Sequence, residues 1–129
     1  RTEVEALRAC GLSQRKAEYL FDLAQHFRSR ALRVRDWPQM SDEEVVRDLT
    51  RVRGIGRWTA EMFLIFNLLR PDVLPLDDLG LLRAAGLLYC EGELPTRSRV
   101  LELAQIWRPW CSVATWHLWR SLDPLPVEY

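Results

Sequence analysis

Apolar positions along this chain recur with the period of a helix, and no segment alternates apolar with polar residues as a half-buried strand would. Residues 3–9 read as a short helix stopped by Gly11. Ser13 is placed to cap a second helix over 14–28, with Ala17, Leu20, Phe21, Ala24 and Phe27 on one face. A connection containing Pro38 covers 30–40. Ser41-Asp42-Glu43-Glu44 is a capping box with acidic residues in the first turn, and it predicts a third helix to position 50. A glycine-bearing turn follows, then a helix over 57–69 whose Met62–Phe66 stretch is expected to be buried, ended by Arg70-Pro71-Asp72. Residues 73–76 read as extended, and Asp77 or Asp78 can cap a helix through 88. Pro95-Thr96 opens a helix to Trp107, Pro109 breaks it, and Ser112 is expected to cap a last helix to position 122. Pro124 and Pro126 mark an irregular tail. The pattern predicts an all-α chain of about seven helices, read as one domain over 1–129.

The turn between the third and fourth helices carries the sharpest chemical signal. Two glycines in Arg53-Gly54-Ile55-Gly56-Arg57 let the backbone bend and let another chain approach without a Cβ in the way. Ile55 can pack down between the flanking helices. The N–H groups that start the next helix then form an anion site, with the Thr59 hydroxyl in reach and Arg51, Arg53 and Arg57 around it. A purely structural turn is the alternative, because Gly-X-Gly alone is common.

Asp78 lies 22 residues beyond Gly56, beside Asp77. Cleaving a base from deoxyribose builds positive charge on the sugar. A fixed carboxylate near C1′ can stabilise that charge and orient the attacking water. An aspartate at a helix start is also a good N-cap, so both roles stand open for Asp78, while Asp77 reads as a cap or a solvated group.

Taken together, these stretches resemble the helix–hairpin–helix DNA glycosylases, and within them the 3-methyladenine DNA glycosylase II type. The resemblance is carried by Gly54-Ile55-Gly56-Arg57-Trp58-Thr59-Ala60, Arg70-Pro71-Asp72-Val73-Leu74-Pro75 and Asp77-Asp78-Leu79-Gly80. Leu12-Ser13-Gln14-Arg15-Lys16-Ala17, Trp107-Arg108-Pro109-Trp110-Cys111-Ser112 and Trp119-Arg120 extend it over nearly the whole chain. It implies an HhH-GPD-type fold with a helix–hairpin–helix motif at 43–69, and Asp78 as the catalytic aspartate. It also implies DNA contacts from Arg53, Gly54, Ile55, Gly56, Arg57 and Thr59. A monovalent Na⁺ or K⁺ would sit on the backbone carbonyls of Thr50, Val52 and Ile55. Where the family usually has Pro before the first glycine, this chain has Arg53, whose N–H is therefore expected to be free. Relatives that also nick the strand place a nucleophilic Lys two residues after the second glycine. Trp58 stands there, so a monofunctional enzyme that uses water is expected. The four-cysteine iron–sulfur loop of the endonuclease III branch is missing, and no cofactor is required.

The chain has six tryptophans, and two of them bear on the substrate. Alkylated purines carry positive charge, which indole faces attract, and a flipped base can be held by them. Trp58, Met62, Trp119 and Asp77 are the candidate pocket residues. Trp37, Trp107, Trp110 and Trp116 are expected to pack in the core, and Tyr19, His26 and His117 are expected to play ordinary roles. The expected partner is duplex DNA with a damaged base, the expected state a monomer. Two other classes stay open: a non-catalytic helix–hairpin–helix binding module or inactive fragment, and a structural helical domain.

Composition narrows the class little. Basic and acidic side chains number 18 each, which excludes a bulk polycation, yet residues 1–70 carry 13 basic against 10 acidic side chains. Seventeen of the 18 basic residues are Arg, which suits phosphate contacts and equally suits a GC-rich coding sequence. Cys10, Cys90 and Cys111 are too scattered for a metal cluster and odd in number for a disulfide framework, so a reducing cytoplasm, nucleoid-associated in a bacterium, is expected. No apolar run approaches the ~20 residues of a membrane span. Arg1 is not an initiator, and Val4, Leu7 and Ala9 begin in mid-pattern. A preceding segment is therefore expected; the resemblance implies two or three further helices there, which carry the family's duplex wedge, so the chain reads as either a fragment or a reduced relative.

Overall fold

The computed structural model describes residues 3–124, and every regular element among them is helical. In order they are α1 (Val4–Ala9), α2 (Gln14–Arg28), a 3-10 turn (Trp37–Gln39), α3 (Asp42–Leu49), α4 (Arg57–Phe66), α5 (Leu79–Tyr89), α6 (Arg97–Ala104) and α7 (Cys111–Arg120). The chain groups into two compact units, one running through Ala60 and the other starting at Glu61, so that the division falls within α4. Pro126 lies outside the described residues.

In the first unit α1 packs on α2. The Ser13 hydroxyl accepts the Lys16 N–H at 3.3 Å and starts α2 where its sequence requires. The capping box of α3 is complete: the Ser41 N–H donates to Glu44 Oε2 at 2.7 Å, and the Glu44 N–H donates to the Ser41 hydroxyl at 3.3 Å. Between α2 and α3 the chain is not merely irregular, because Pro38 sits in the first turn of a 3-10 segment, where its missing N–H costs nothing. That segment buries Trp37 beside Asp48, a carboxylate only 3% exposed. Asp48 Oδ2 accepts the Trp37 indole N–H at 2.7 Å and the Arg33 N–H at 2.9 Å, and Arg51 reaches its Oδ1 at 3.4 Å. A buried charge is tolerable only when it is held this way.

In the second unit α5 packs against α7 over a core of Leu74, Leu81, Ala84, Val100, Ala104, Cys111 and Leu118. Four predicted boundaries shift here. α4 ends at Phe66 rather than 69, because Leu69 takes a left-handed conformation (φ 53°) and the Arg70 N–H turns back to the Leu64 carbonyl at 2.9 Å. α6 stops at Ala104 and continues to Trp107 only as turns. α7 ends at Arg120 rather than 122. Its cap is not Ser112 but comes from outside the helix. The Cys111 N–H donates to Asp72 Oδ1 at 3.1 Å, and Arg108 braces the same carboxylate at 3.0 Å. Burial works against charge on Asp72, but the bonds from Cys111 and Arg108 outweigh it and hold its pKa below the usual carboxylate value. Ser112, thus released, accepts the Val73 N–H at 2.9 Å and donates to the Arg70 carbonyl at 2.6 Å, so it fastens the strand-like 70–73 segment to α7.

Replacing Asp48 with Ala should strand the Trp37 and Arg33 donors and cost about 2–4 kcal/mol of stability in urea denaturation. A loss below about 1 kcal/mol would show that Asp48 does not organise the α2–α3 connection.

Candidate functional site

The hairpin of the first unit is shaped by α2. Gly54 has φ +91°, a conformation that costs an L-residue dearly, and a Cβ placed there would lie 2.3 Å from the Tyr19 ring. Glycine therefore serves two needs at once: the left-handed turn and the flat approach of Tyr19. The Arg53 N–H, expected to be free, instead donates to Asp22 Oδ2 at 2.7 Å. An acid on α2 supplies the partner that a proline would have made unnecessary. The Arg53 guanidinium lies 3.6 Å from Glu18 and 5.9 Å over the Tyr19 ring centre. Glu18, Tyr19 and Asp22 form a three-residue grip on the hairpin that the sequence pattern did not reveal, although the i,i+4 pair of acids on α2 was its visible trace.

The Ile55 N–H closes the turn on the Val52 carbonyl at 3.1 Å, with Val52 buried and Ile55 half-buried. Nothing lies within 4 Å of where a Gly56 Cβ would stand, so the backbone there is open to an approaching chain. Arg57, Trp58 and Thr59 follow, all exposed, in the first turn of α4, where amides lack intrahelical acceptors. The arginines are less available than their positions suggested. Arg57 makes a two-pronged pair with Glu43 and, through that hydrogen bond, lowers the Glu43 pKa, while Arg51 is held by Asp48 and by the Ala31 carbonyl at 3.0 Å. Carbonyl oxygens are the donor type a monovalent cation takes. Of the three proposed, Val52 already accepts one hydrogen bond, and a carbonyl has a second lone pair to offer.

In the second unit Asp78 is 8% exposed and caps α5, its Oδ2 accepting the Leu81 N–H at 2.7 Å. The same oxygen accepts the Trp119 indole N–H at 2.6 Å. Trp119 thus serves as a donor that fixes the carboxylate, and its ring stacks on Phe66 with centroids 5.9 Å apart and planes 16° from parallel. Gly80 makes room for it: a Cβ there would stand 3.0 Å from Trp119 Cδ1 and 3.1 Å from Asp78 Oδ2. Phe66 was expected only to be buried, and Gly80 appeared only as the end of the Asp77-Asp78-Leu79-Gly80 motif, with no role assigned to either. Phe66, expected to be buried with Met62, is largely exposed, while Leu64 carries the burial on that helix. Asp77 points to Arg97 and pairs with it at the surface. Met62 is half-buried.

Two tryptophans expected in the core are not there. Trp110 is 59% exposed, and Trp116 is 44% exposed beneath the Arg120 guanidinium. Both sit at the start or outer face of α7, where the core-facing positions are Cys111, Thr115 and Leu118. Burial pushes the Cys111 thiol up to about 12, with Asp72 adding to the rise, so it remains protonated and is no nucleophile. Among the described residues no group of His, Cys, Asp and Glu could hold a metal ion, and no helix is long and apolar enough to cross a membrane.

A hairpin closed by a left-handed glycine and a buried, doubly hydrogen-bonded aspartate at the head of α5 define a helix–hairpin–helix repair fold. The chain belongs to the HhH-GPD superfamily of base excision DNA repair proteins, whose family model matches residues 1–109. It is 38% identical over 120 residues to DNA-3-methyladenine glycosylase 1 of Schizosaccharomyces pombe, covering 92% of this chain and 53% of that protein. Among solved structures, DNA-3-methyladenine glycosidase from Bacillus halodurans superposes with a TM-score of 0.88 at 38% identity, over 96% of this chain and 57% of that one. Schizosaccharomyces pombe 3-methyladenine DNA glycosylase in complex with abasic DNA superposes with a TM-score of 0.83 at 36% identity, over 98% and 63%. The chain spans about half the length of the curated relatives it matches.

Trp119→Phe keeps the stack on Phe66 and removes only the donor to Asp78, so thermal denaturation should show a loss of about 1–2 kcal/mol. No loss would mean that the indole N–H does not hold the carboxylate. Iodoacetamide at mildly alkaline pH should label exposed Cys10 in the native protein and spare Cys111 until denaturant is added; equal labelling of both would contradict the burial of Cys111.

Proposed function

We propose that this chain is the catalytic part of a monofunctional DNA glycosylase that hydrolyses the N-glycosidic bond of alkylated purines, of the 3-methyladenine type, in duplex DNA. The observation that carries the proposal is Asp78: a buried carboxylate held by two donors on one oxygen, at the position the family uses for catalysis. The hairpin amides from Gly54 to Thr59 bind the backbone beside the lesion. The carbonyls of Thr50, Val52 and Ile55 would hold a Na⁺ or K⁺, which adds positive charge next to a phosphate. Asp78 stabilises the oxocarbenium character that develops as the base departs. Water attacks C1′, the free base leaves, and an abasic site remains. An alkylated purine is already cationic, so it leaves with little proton help and favours an aromatic pocket. Trp58 and Met62 are proposed to line that pocket. Trp58 has no amine, so no Schiff base forms and the strand stays intact. The protein is proposed to act as a cytoplasmic monomer.

One observation favours a second reading. Asp78 does cap α5, and a cap is all that a non-catalytic DNA-binding module would need.

Incubation with duplex DNA methylated in vitro should release 3-methyladenine or 7-methylguanine, identified by chromatography, and leave strands that break only after alkali. Strand breakage without alkali would overturn the monofunctional assignment. Duplex binding without base release would favour the binding module.

A further inference from the structure

We propose that the connection between α2 and α3 is a second site for the phosphodiester backbone of duplex DNA, separate from the hairpin and held by Arg30, Arg33 and Arg35. The argument begins with charge. Around the hairpin, Arg51, Arg53 and Arg57 are each paired with a carboxylate of the same unit, namely Asp48, Glu18 and Glu43. All three guanidinium groups sit at the surface, where a phosphate must compete with a carboxylate for each. Arg30, Arg33 and Arg35 differ. They line a depression of about 450 Å³ in which Asp36 is the one carboxylate, and all three are exposed. Among the described residues none of the three forms a salt bridge.

The backbone supports the same conclusion. Arg30 takes φ +56° where α2 ends, a place that glycine or asparagine occupies at less cost. That turn leads the chain out of α2 and sets Arg30 on the lining of the depression. The depression is also firmly seated. The Arg33 N–H is bonded to Asp48, the Trp37 indole N–H to the same oxygen, and Arg51 to the Ala31 carbonyl. Asp48 and Arg51 belong to the end of α3 and the turn that enters the hairpin, so the two anion sites are mechanically joined within one unit. Guanidinium groups offer forked donors to phosphate oxygens, and a duplex presents phosphates in series, which suits several arginines along one connection. The site acts on undamaged DNA and does not depend on Asp78 chemistry.

The test is anisotropy of a labelled undamaged duplex titrated with the wild type, the triple variant R30Q/R33Q/R35Q, the triple Arg→Lys variant, and Arg83→Gln as a surface control, between about 50 and 200 mM salt. Circular dichroism checks that each variant is folded. The glutamine triple should bind at least about fivefold more weakly at the low-salt end, and the slope of log K against log salt should flatten by about 0.9 for each phosphate that is no longer neutralised. The lysine triple should recover most of that slope, and Arg83→Gln should match the wild type. Parallel salt slopes for wild type and glutamine triple would overturn the proposal. So would loss of binding to phosphatidylserine vesicles with duplex affinity intact.

Discussion

Two hydrogen bonds to one oxygen fix the carboxylate on which the proposed chemistry rests. Asp78 Oδ2 takes the first-turn amide of α5 and the indole N–H of Trp119 from α7. The bond to Leu81 starts α5, and the bond to Trp119 ties α5 to the helix it packs against. Both bonds fix the position of the carboxylate, which is what the proposed function asks of a group facing a developing sugar cation. The requirement reaches outward: Gly80 must lack a Cβ for the indole to arrive, Phe66 must support the far face of the ring, and α7 must be held in place by Asp72 and Ser112.

Capping α5 is therefore compatible with the catalytic role proposed for Asp78. An N-cap aspartate is fixed in rotamer and already has one oxygen committed, which is a sound starting point for a group that must not move during reaction. A similar economy holds in the first unit. Asp48 joins the α2–α3 connection to α3 through two donors, Arg33 and Trp37, and Asp22 satisfies an amide that the hairpin would otherwise leave exposed. In each unit, buried or half-buried carboxylates join segments that are distant in sequence.

Much of this was legible in the sequence because it is written locally. The capping box at Ser41, the serine before α2, the Gly54-Ile55-Gly56 turn and the aspartate before α5 are signals of a few adjacent residues, and each appears where they place it. The α7 cap was misread because its acceptor lies 39 positions away, in Asp72. The Arg53 amide was misread for the same reason, its partner being 31 positions back. Trp119 was recognised as a site residue, but its task as a donor depends on a neighbour 41 positions off. Helical periodicity located α7 and not which of its tryptophans turned inward, since Trp116 and Trp119 sit three residues apart near the edge of the buried face.

Asp78→Asn is the most direct probe of the central claim, because asparagine keeps the cap oxygen and the shape while removing the charge. Single-turnover base release from methylated duplex should slow by about a hundredfold or more, and the Kd for abasic duplex should stay within about threefold of wild type. Release at the wild-type rate by the asparagine variant would contradict the account and leave Asp78 as a helix cap alone.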